Sequence, residues 1–259
     1  MSKPFSIAID GPSAAGKSTI AKIISQRTGA LYLDTGAMYR AVGLYVLRNG
    51  IDPRDAAAVA SVMDKPKIAV RYENGAQRMF LFSEDVTDEI RKPIVSDAAS
   101  AVSAVPKVRK RLVQMQREIA QGQNVVMDGR DIGTHVLPNA TLKVFLVADP
   151  EIRALRRHRE LVERGSESDY DSVLRDMLSR DHDDRTRAAS PLTKAKDAVE
   201  INATHMSPAK VAGLVIELLN ARIRERRERS ERVDGGRALP YIEHFEHDVI
   251  EARRRGTKE

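Results

Sequence analysis

The chain has 259 residues, of which 42% are hydrophobic and 31% are charged, and its formal net charge is +6. This balance is typical of a folded globular protein and excludes a disordered one. The absence of cysteine excludes disulfides, thiolate nucleophiles and cysteine-bound metals. Because the sequence contains neither an apolar run of transmembrane length nor a signal-peptide pattern, we expect a cytoplasmic protein with no membrane partner.

The positive charge is spread thinly along the chain. Residues 221–259 contain 11 Lys and Arg against 9 Asp and Glu, without a long block of one sign. Proteins that coat a polynucleotide usually concentrate their basic residues on one face, and aromatic residues that could stack on bases make up only 4% of this sequence. We therefore expect no nucleic acid polymer as a partner, whereas a few converging arginines would suit a small anionic substrate.

The first 50 residues alternate between strand and helix patterns. A buried strand at residues 5–10 precedes a helical pattern over 17–28. A second strand at 30–33 precedes a helix that Thr35 can cap and that ends at Asn49. This alternation predicts a parallel sheet with helices packed against it.

The middle of the sequence changes character. Residues 67–82 alternate between apolar and polar side chains around the turn pair Asn74-Gly75, which predicts an antiparallel hairpin. Together with a helical stretch at 83–105, this hairpin is interpreted as an insertion at about 64–105. The parallel pattern then returns in the following predicted elements: a helix at 106–121, strands at 124–128 and 142–147, helical stretches after Pro150 and at 169–187, a strand at 198–201, and a helix from Pro208 to about Arg222.

Residues 11–18 match the phosphate-loop pattern G-x-x-x-x-G-K-[ST] in full, between a predicted strand and a predicted helix. Such a loop turns successive backbone N–H groups inward, and the N-terminus of the next helix adds positive potential. Lys17 is then expected to reach the β- and γ-phosphates of a nucleotide, and Ser18 to ligate Mg²⁺. The alternative is a glycine-rich turn with an exposed lysine.

Three predicted strands end in aspartates: Asp10, Asp34 and Asp128. Ligands of open parallel sheets collect at the carboxyl ends of the strands, so we expect these residues to share one crevice. Asp128 follows an apolar strand as a Walker-B acid would, although Asp-Gly is also a common turn pair. Ser18 and Asp34 are the candidate metal ligands.

Six separated segments give the sequence its resemblance to a known family: IAIDGPSAAGKST, LYLDTGAMYRAV, DEIR, SDAASAVSAVPKVR, VVMDGRDIGT and RDHDDRTRAASPL. They resemble the nucleoside monophosphate kinases and, within them, the bacterial cytidylate kinases. The resemblance implies a three-layer α/β P-loop kinase fold over residues 1–220, with an antiparallel acceptor-binding insertion and a helical lid at about 150–168. Residues 221–259 would form a charged C-terminal extension, for which the sequence leaves two alternatives, a helix or a partly disordered segment.

The resemblance also implies an activity and its site residues. The γ-phosphoryl group of ATP would pass to CMP or dCMP, with Mg²⁺ as cofactor, and the catalytic residues would be Lys17, Arg40, Arg130 and Arg187. Apart from the resemblance, we expect a monomer. ATP would be bound by Gly11, Pro12, Ser13, Ala14, Ala15, Gly16, Lys17, Ser18, Thr19, Arg153, Arg156 and Arg157. CMP would be bound through its phosphate by Thr35, Arg40, Arg130 and Arg187, through its base by Ser100, Arg109 and Asp131, and through its ribose by Arg180 and Asp184.

Other P-loop functions are alternatives to this one. A GTPase would need N-K-x-D and an ABC-type ATPase would need L-S-G-G-Q, and the sequence contains neither motif. An RNA-associated P-loop protein that uses the arginine-rich tail is a second alternative. A kinase for another small acceptor, such as UMP, AMP or shikimate, is the third.

Overall fold

The computed structural model describes residues 3–73, 75–163 and 165–234. Residues up to Asn220 form one compact unit. Within the described ranges, no helix is both long enough and apolar enough to cross a membrane.

Eight strands occur in the described part of the chain: β1 (Ser6–Asp10), β2 (Leu31–Asp34), β3 (Ile68–Glu73), β4 (Ala76–Leu81), β5 (Glu84–Asp85), β6 (Val125–Gly129), β7 (Leu142–Val147) and β8 (Val199–Asn202). Five of them form a parallel sheet in the order β2-β6-β1-β7-β8. The other three form an antiparallel sheet in the order β3-β4-β5. The predicted parallel core and antiparallel hairpin are therefore confirmed.

The described α-helices are α1 (Lys17–Thr28), α2 (Thr35–Arg48), α3 (Ala56–Val62), α4 (Pro93–Ser103), α5 (Pro106–Ala120), α6 (Pro150–Glu163), α7 (Tyr170–Thr186) and α8 (Pro208–Asp234). A 3-10 helix spans Glu89–Arg91, and a π-helix spans Ile132–Val136 directly after β6. A helix or a π-helix therefore follows each of β1, β2 and β6, and α2 begins directly at the end of β2, as the predicted crevice requires.

The central strand β1 is buried on both faces, since Ile7, Ala8 and Ile9 are at most 1% exposed. An uninterrupted apolar strand of this kind is typical of a parallel sheet covered by helices on both sides. On one side the core continues through α2, where Met38 and Val42 are fully buried. The carboxyl ends of the strands are thus held by a continuous apolar core.

The beginning of α2 differs from the prediction. Asp34, rather than Thr35, caps this helix, because the Asp34 carboxylate accepts a hydrogen bond from the Ala37 N–H at 2.9 Å. The Thr35 hydroxyl instead donates to the Asp128 carbonyl oxygen at 2.7 Å. Thr35 is therefore the first residue of the helix and ties that helix to β6.

The segment before α5 is less helical than the sequence predicts. Of residues 83–105, only Pro93–Ser103 form an α-helix. Glu84–Asp85 instead pair with the end of β4, and a 3-10 turn follows. The prediction of one long helix is wrong because strand pairing across the hairpin, which no local pattern shows, decides the first part of the segment.

The last helix is longer than predicted. It begins at Pro208, as expected, and continues to Asp234 instead of ending near residue 222. An ion pair at 3.4 Å joins Arg222 to Glu225 one turn further on. The remainder of the predicted extension, residues 235–259, lies outside the described residues.

Candidate active site

The phosphate loop lies between β1 and α1 and depends on glycine at its first position. Gly11 has a φ of +149°, and a Cβ there would lie 2.1 Å from the Leu146 carbonyl oxygen. Only glycine allows the loop to pass so close to β7. Gly16, with φ +97°, ends the loop at the first turn of α1.

Lys17, the first residue of α1, is buried and its ammonium donates a hydrogen bond to the Pro12 carbonyl oxygen at 2.6 Å. The side chain therefore folds back across the loop. Burial, together with the neighbouring Arg130 guanidinium, lowers the pKa of Lys17 to about 7. The loop thus holds a cation whose charge responds strongly to any added anion.

Asp128, at the end of β6, joins the loop to β2. One of its carboxylate oxygens accepts from the Ser18 hydroxyl at 2.7 Å, and the other accepts from the Tyr32 hydroxyl at 2.9 Å. Burial and the nearby Asp34 carboxylate raise the pKa of Asp128. A buried acid in this position is best stabilised by a cation beside it.

Asp10, at the end of β1, holds the segment that follows β6. Its two carboxylate oxygens accept from the Ile132 and Gly133 N–H groups at 2.8 and 2.7 Å. Burial raises the pKa of Asp10 to about 6, although both hydrogen bonds oppose that shift. These bonds fix the start of the π-helix, directly after Arg130 and Asp131.

Three arginines predicted to bind the acceptor phosphate lie against carboxylates. Arg40 contacts Asp34 at 2.8 Å. Arg130 contacts Asp184 at 2.6 Å and also donates to the Ser13 hydroxyl at 2.7 Å. This second bond connects the arginine cluster (Arg40, Arg130 and Arg187) to the phosphate loop. Arg187 reaches the other oxygen of Asp184 at 3.3 Å.

A second, more deeply buried pair joins Arg109 on α5 to Asp131. The Arg109 guanidinium also lies 5.6 Å from the centre of the Tyr39 ring and donates to the Ser103 carbonyl oxygen at 3.1 Å. This pair therefore presents a fixed acceptor and a fixed donor side by side. Arg180 on α7 forms an ion pair with Asp97 on α4.

The three predicted lid arginines of α6 have different surroundings. Arg153 is buried and contacts the Ala148 and Ser13 carbonyl oxygens and the Asp181 carboxylate. Arg156 and Arg157 line the cleft. Arg153 therefore supports the back of the phosphate loop instead of facing the cleft.

One cavity of about 890 Å³ brings these groups together. It is lined by all predicted site residues except Gly11, Pro12 and Arg153. The phosphate loop and the Arg109–Asp131 pair both line it, and so do Arg40, Arg130 and Arg187.

Comparison with known proteins shows the family of the chain. Residues 7–221 match the family described as cytidylate kinase. The chain belongs to the cytidylate kinase family. A cytidylate kinase of Caldicellulosiruptor bescii is 50% identical over 216 residues, which cover 83% of this chain and 96% of that relative. A cytidylate kinase of Mycobacterium leprae is 49% identical over 217 residues, which cover 83% of this chain and 96% of that relative.

Membership of the cytidylate kinase family agrees with the resemblance carried by the six sequence segments. Several residues that line the cavity are not among the site residues predicted from the sequence: Tyr39, Arg91, Asp97, Ser103 and Asp176. Four of them lie within or beside segments that carry the resemblance, so proximity to those segments is the signal that could have found them. Asp176 lies on α7 outside these segments, and no local pattern distinguishes it.

The oxygen atoms at Ser18 and Asp128 are suitable ligands for a magnesium ion. The Ser18 hydroxyl and the Asp128 carboxylate are hard ligands that lie together at the phosphate loop. Asp34, the predicted partner of Ser18, has its carboxylate against Arg40 and the Ala37 N–H, and these contacts hold its pKa below the ordinary value despite burial. The contacts favour Asp128 over Asp34 as the acid beside the metal.

Proposed function

We infer that this protein transfers the γ-phosphoryl group of ATP to CMP or dCMP, giving ADP and CDP or dCDP. The observation that carries this inference is the continuous cleft between the phosphate loop and the Arg109–Asp131 pair. Both substrates carry phosphates, so the task of the protein is to hold two anions end to end and to neutralise charge on the group between them.

The donor end of the cleft is suited to the β- and γ-phosphates of ATP. The backbone N–H groups of the loop and the N-terminus of α1 favour bound phosphate. Lys17 and Arg130, which lie close enough for the guanidinium to lower the pKa of Lys17, would stabilise the transferred group. Because the acceptor phosphate is already an oxyanion, the reaction needs no strong general base.

Magnesium is the proposed cofactor, and it would be held by Ser18 together with Asp128 or, as the sequence predicts, Asp34. Mg²⁺ usually binds through one or two protein oxygens plus phosphate oxygens and water, which fits this small donor set. It would supply charge neutralisation at the β- and γ-phosphates. Lys17 and the arginines supply the remaining positive charge.

The acceptor end of the cleft is suited to a cytosine base. The cytosine edge presents an amino donor beside ring and carbonyl acceptors. A carboxylate paired with a guanidinium, as in Asp131 and Arg109, offers the complementary acceptor and donor. Uracil carries a carbonyl oxygen in place of that amino group, and two acceptors would then face each other at Asp131, which should disfavour uracil. Ser100, Arg180 and Asp184 also line the cavity and remain the proposed contacts of the base and ribose.

An ADP-release assay across CMP, dCMP, UMP, AMP and shikimate tests the proposed function. We expect CMP and dCMP to support release at least ~10-fold better than the other acceptors, because only they present an amino donor together with a ring acceptor and a carbonyl acceptor on one edge. Equal or better release with UMP, AMP or shikimate would overturn the assignment. A monomeric state and a cytoplasmic location remain predictions.

A further inference from the structure

The antiparallel insertion is hydrogen-bonded to the edge of the catalytic sheet. Strand β2 is an edge strand, so its outer main-chain groups have no neighbouring strand in the described part of the chain. Tyr72 and Gln77, from the two strands of the hairpin, supply the missing partners. The Tyr72 hydroxyl donates to the Tyr32 carbonyl oxygen at 2.9 Å.

Gln77 makes the closer connection. Its side-chain carbonyl accepts from the Asp34 N–H at 2.8 Å, and its amide NH₂ donates to the Asp34 carbonyl oxygen at 3.3 Å. A single side chain thus bonds the donor and the acceptor of one residue, as the backbone of an adjacent strand would. The main-chain position of Asp34 is therefore fixed from outside the sheet.

Asp34 passes this constraint to the site. Its carboxylate caps α2 through the Ala37 N–H and pairs with Arg40 at 2.8 Å. Arg40 lines the cleft as one of the proposed ligands of the acceptor phosphate. A shift of the Asp34 backbone would therefore move both the beginning of α2 and the Arg40 guanidinium.

We propose that Gln77 is a positioning residue that couples the antiparallel insertion to the acceptor-phosphate site, acting through Asp34 on Arg40. The insertion also carries α4, which contributes Ser100 and Ser103 to the acceptor end of the cleft. The two hydrogen bonds of Gln77 thus link the part of the chain that faces the base to the arginine that faces the phosphate. This inference rests on the proposed function.

The substitution Gln77→Met tests the proposal because it keeps the length of the side chain and removes both hydrogen bonds. We expect the KM for CMP to rise ~5–10-fold, as the loss of one or two hydrogen bonds at a positioned group would produce, while the KM for ATP stays unchanged. Arg78→Gln is the matched control. Arg78 is the next residue of β4 and forms ion pairs with Glu73 and Asp85 of the antiparallel sheet, not with the parallel sheet. Its replacement should therefore leave both KM values unchanged.

A double-mutant comparison separates positioning from general damage to the fold. If Gln77 acts through Arg40, then Gln77→Met should cause no further rise in the KM for CMP in an Arg40→Ala background. An additive rise would overturn the proposal, as would an equal rise in the KM for ATP or an equal effect of Arg78→Gln.

Two further measurements keep the test decisive. If Gln77→Met does not melt cooperatively, Gln77→Glu takes its place, because a carboxylate can accept from the Asp34 N–H but cannot donate to the Asp34 carbonyl oxygen. An unchanged KM for CMP in that variant overturns the proposal. Wild-type activity with CMP is measured first. Its absence would overturn the proposed function, whereas normal wild-type activity with an unaffected Gln77→Met variant would overturn only the role of Gln77.

Discussion

The lysine of the phosphate loop has a pKa near neutral pH, so it is close to losing its charge there. Lys17 is buried beside Arg130, and its pKa is lowered from 10.5 to about 7. Between those two values the unfolded chain holds this proton and the folded chain does not. The penalty that Lys17 imposes on folding is therefore present below pH 7 and fades as the pH rises toward 10.5.

Nucleotide binding at pH 8 should therefore be accompanied by proton uptake. The added negative charge of the phosphates favours the ammonium form of Lys17 and raises its pKa. Calorimetric titration with ADP in two buffers of different ionisation enthalpy measures the uptake, which should shrink toward pH 6, where Lys17 is already charged. Uptake that persists in Lys17→Met would assign it to another group.

Catalysis should depend strongly on the same side chain and on Arg130. Lys17→Ala or Arg130→Ala should lower kcat by ~10³ or more, because each removes positive charge from the transferred phosphoryl group. Steady-state ADP release measures the effect, and an unchanged circular dichroism spectrum shows that the fold is retained. Near-normal turnover in either variant would contradict the assigned roles.

Acceptor choice should depend on Asp131. The substitution Asp131→Asn keeps the shape of the side chain but replaces one acceptor oxygen by a donor, facing both the base and Arg109. We expect the ratio of kcat/KM for CMP to that for UMP to fall ~10-fold or more. The acceptor panel measures it, and an unchanged ratio would remove Asp131 from base recognition.

At the scale of the elements, close packing of α2 against α4 depends on Gly43. A Cβ at this position would lie 2.9 Å from the Ala99 nitrogen and 3.2 Å from the Ala98 carbonyl carbon. These are backbone atoms of α4, so they cannot turn aside. The helix that carries Ser100 therefore lies directly against the helix that carries Arg40.

The substitution Gly43→Ala should push these helices apart. We expect a loss of ~1–3 kcal/mol of unfolding free energy from overpacking, together with a higher KM for CMP. Gly213→Ala is the matched control, since Gly213 also lies within a helix and a Cβ there meets nothing within 4 Å. That variant should be ~0.5–1 kcal/mol more stable than wild type. Chemical denaturation measures both, and equal effects would contradict the packing argument.

The elements differ in how well the sequence predicts them. Strand β7 at Leu142–Val147 has the predicted bounds, because a continuous apolar run marks it. The two-residue β5 and the cap of α2 could not be predicted. The first exists only through pairing with β4, and the second depends on the Thr35 hydroxyl being engaged by β6. Partners distant in sequence decide both.

Across the whole molecule, the cleft belongs to the part of the chain that matches the family. Among the described residues, the last one that lines the cavity is Val211, and the family match ends at residue 221. A chain that ends at Ala221 keeps the buried residues Val215, Leu218 and Leu219 of α8. The described residues that line the cavity all belong to the compact unit that ends at Asn220.

Truncation after Ala221 should therefore leave kcat and both KM values unchanged, because charged residues outside the core can be removed without disturbing the cleft. The acceptor panel, run on the truncated and full-length proteins side by side, measures the outcome. A large loss of activity at an unchanged melting temperature would give the extension a direct part in the reaction.

The cleft itself is only partly visible in the sequence. Its membership could be predicted from the motif and the family resemblance, because strand ends and motif residues converge in any sheet of this topology. The hydrogen-bond and ion-pair partners of each group could not be predicted. They depend on side-chain packing between distant elements. Examples are the pairing of Arg153 with Asp181 behind the loop and the contact of Ser18 with Asp128 rather than Asp34.

The position of Asp184 between Arg130 and Arg187 bears on how the reaction ends. When a nucleotide leaves, a guanidinium that has a carboxylate within reach can pair with that carboxylate in place of the phosphate. It need not first be rehydrated. The exchange offsets part of the attraction that would otherwise retain a diphosphate product. The Asp184 carboxylate also competes with free inorganic phosphate for the two guanidinium groups. An acid that need not touch the reacting atoms would in this way favour product release and limit inhibition by simple anions.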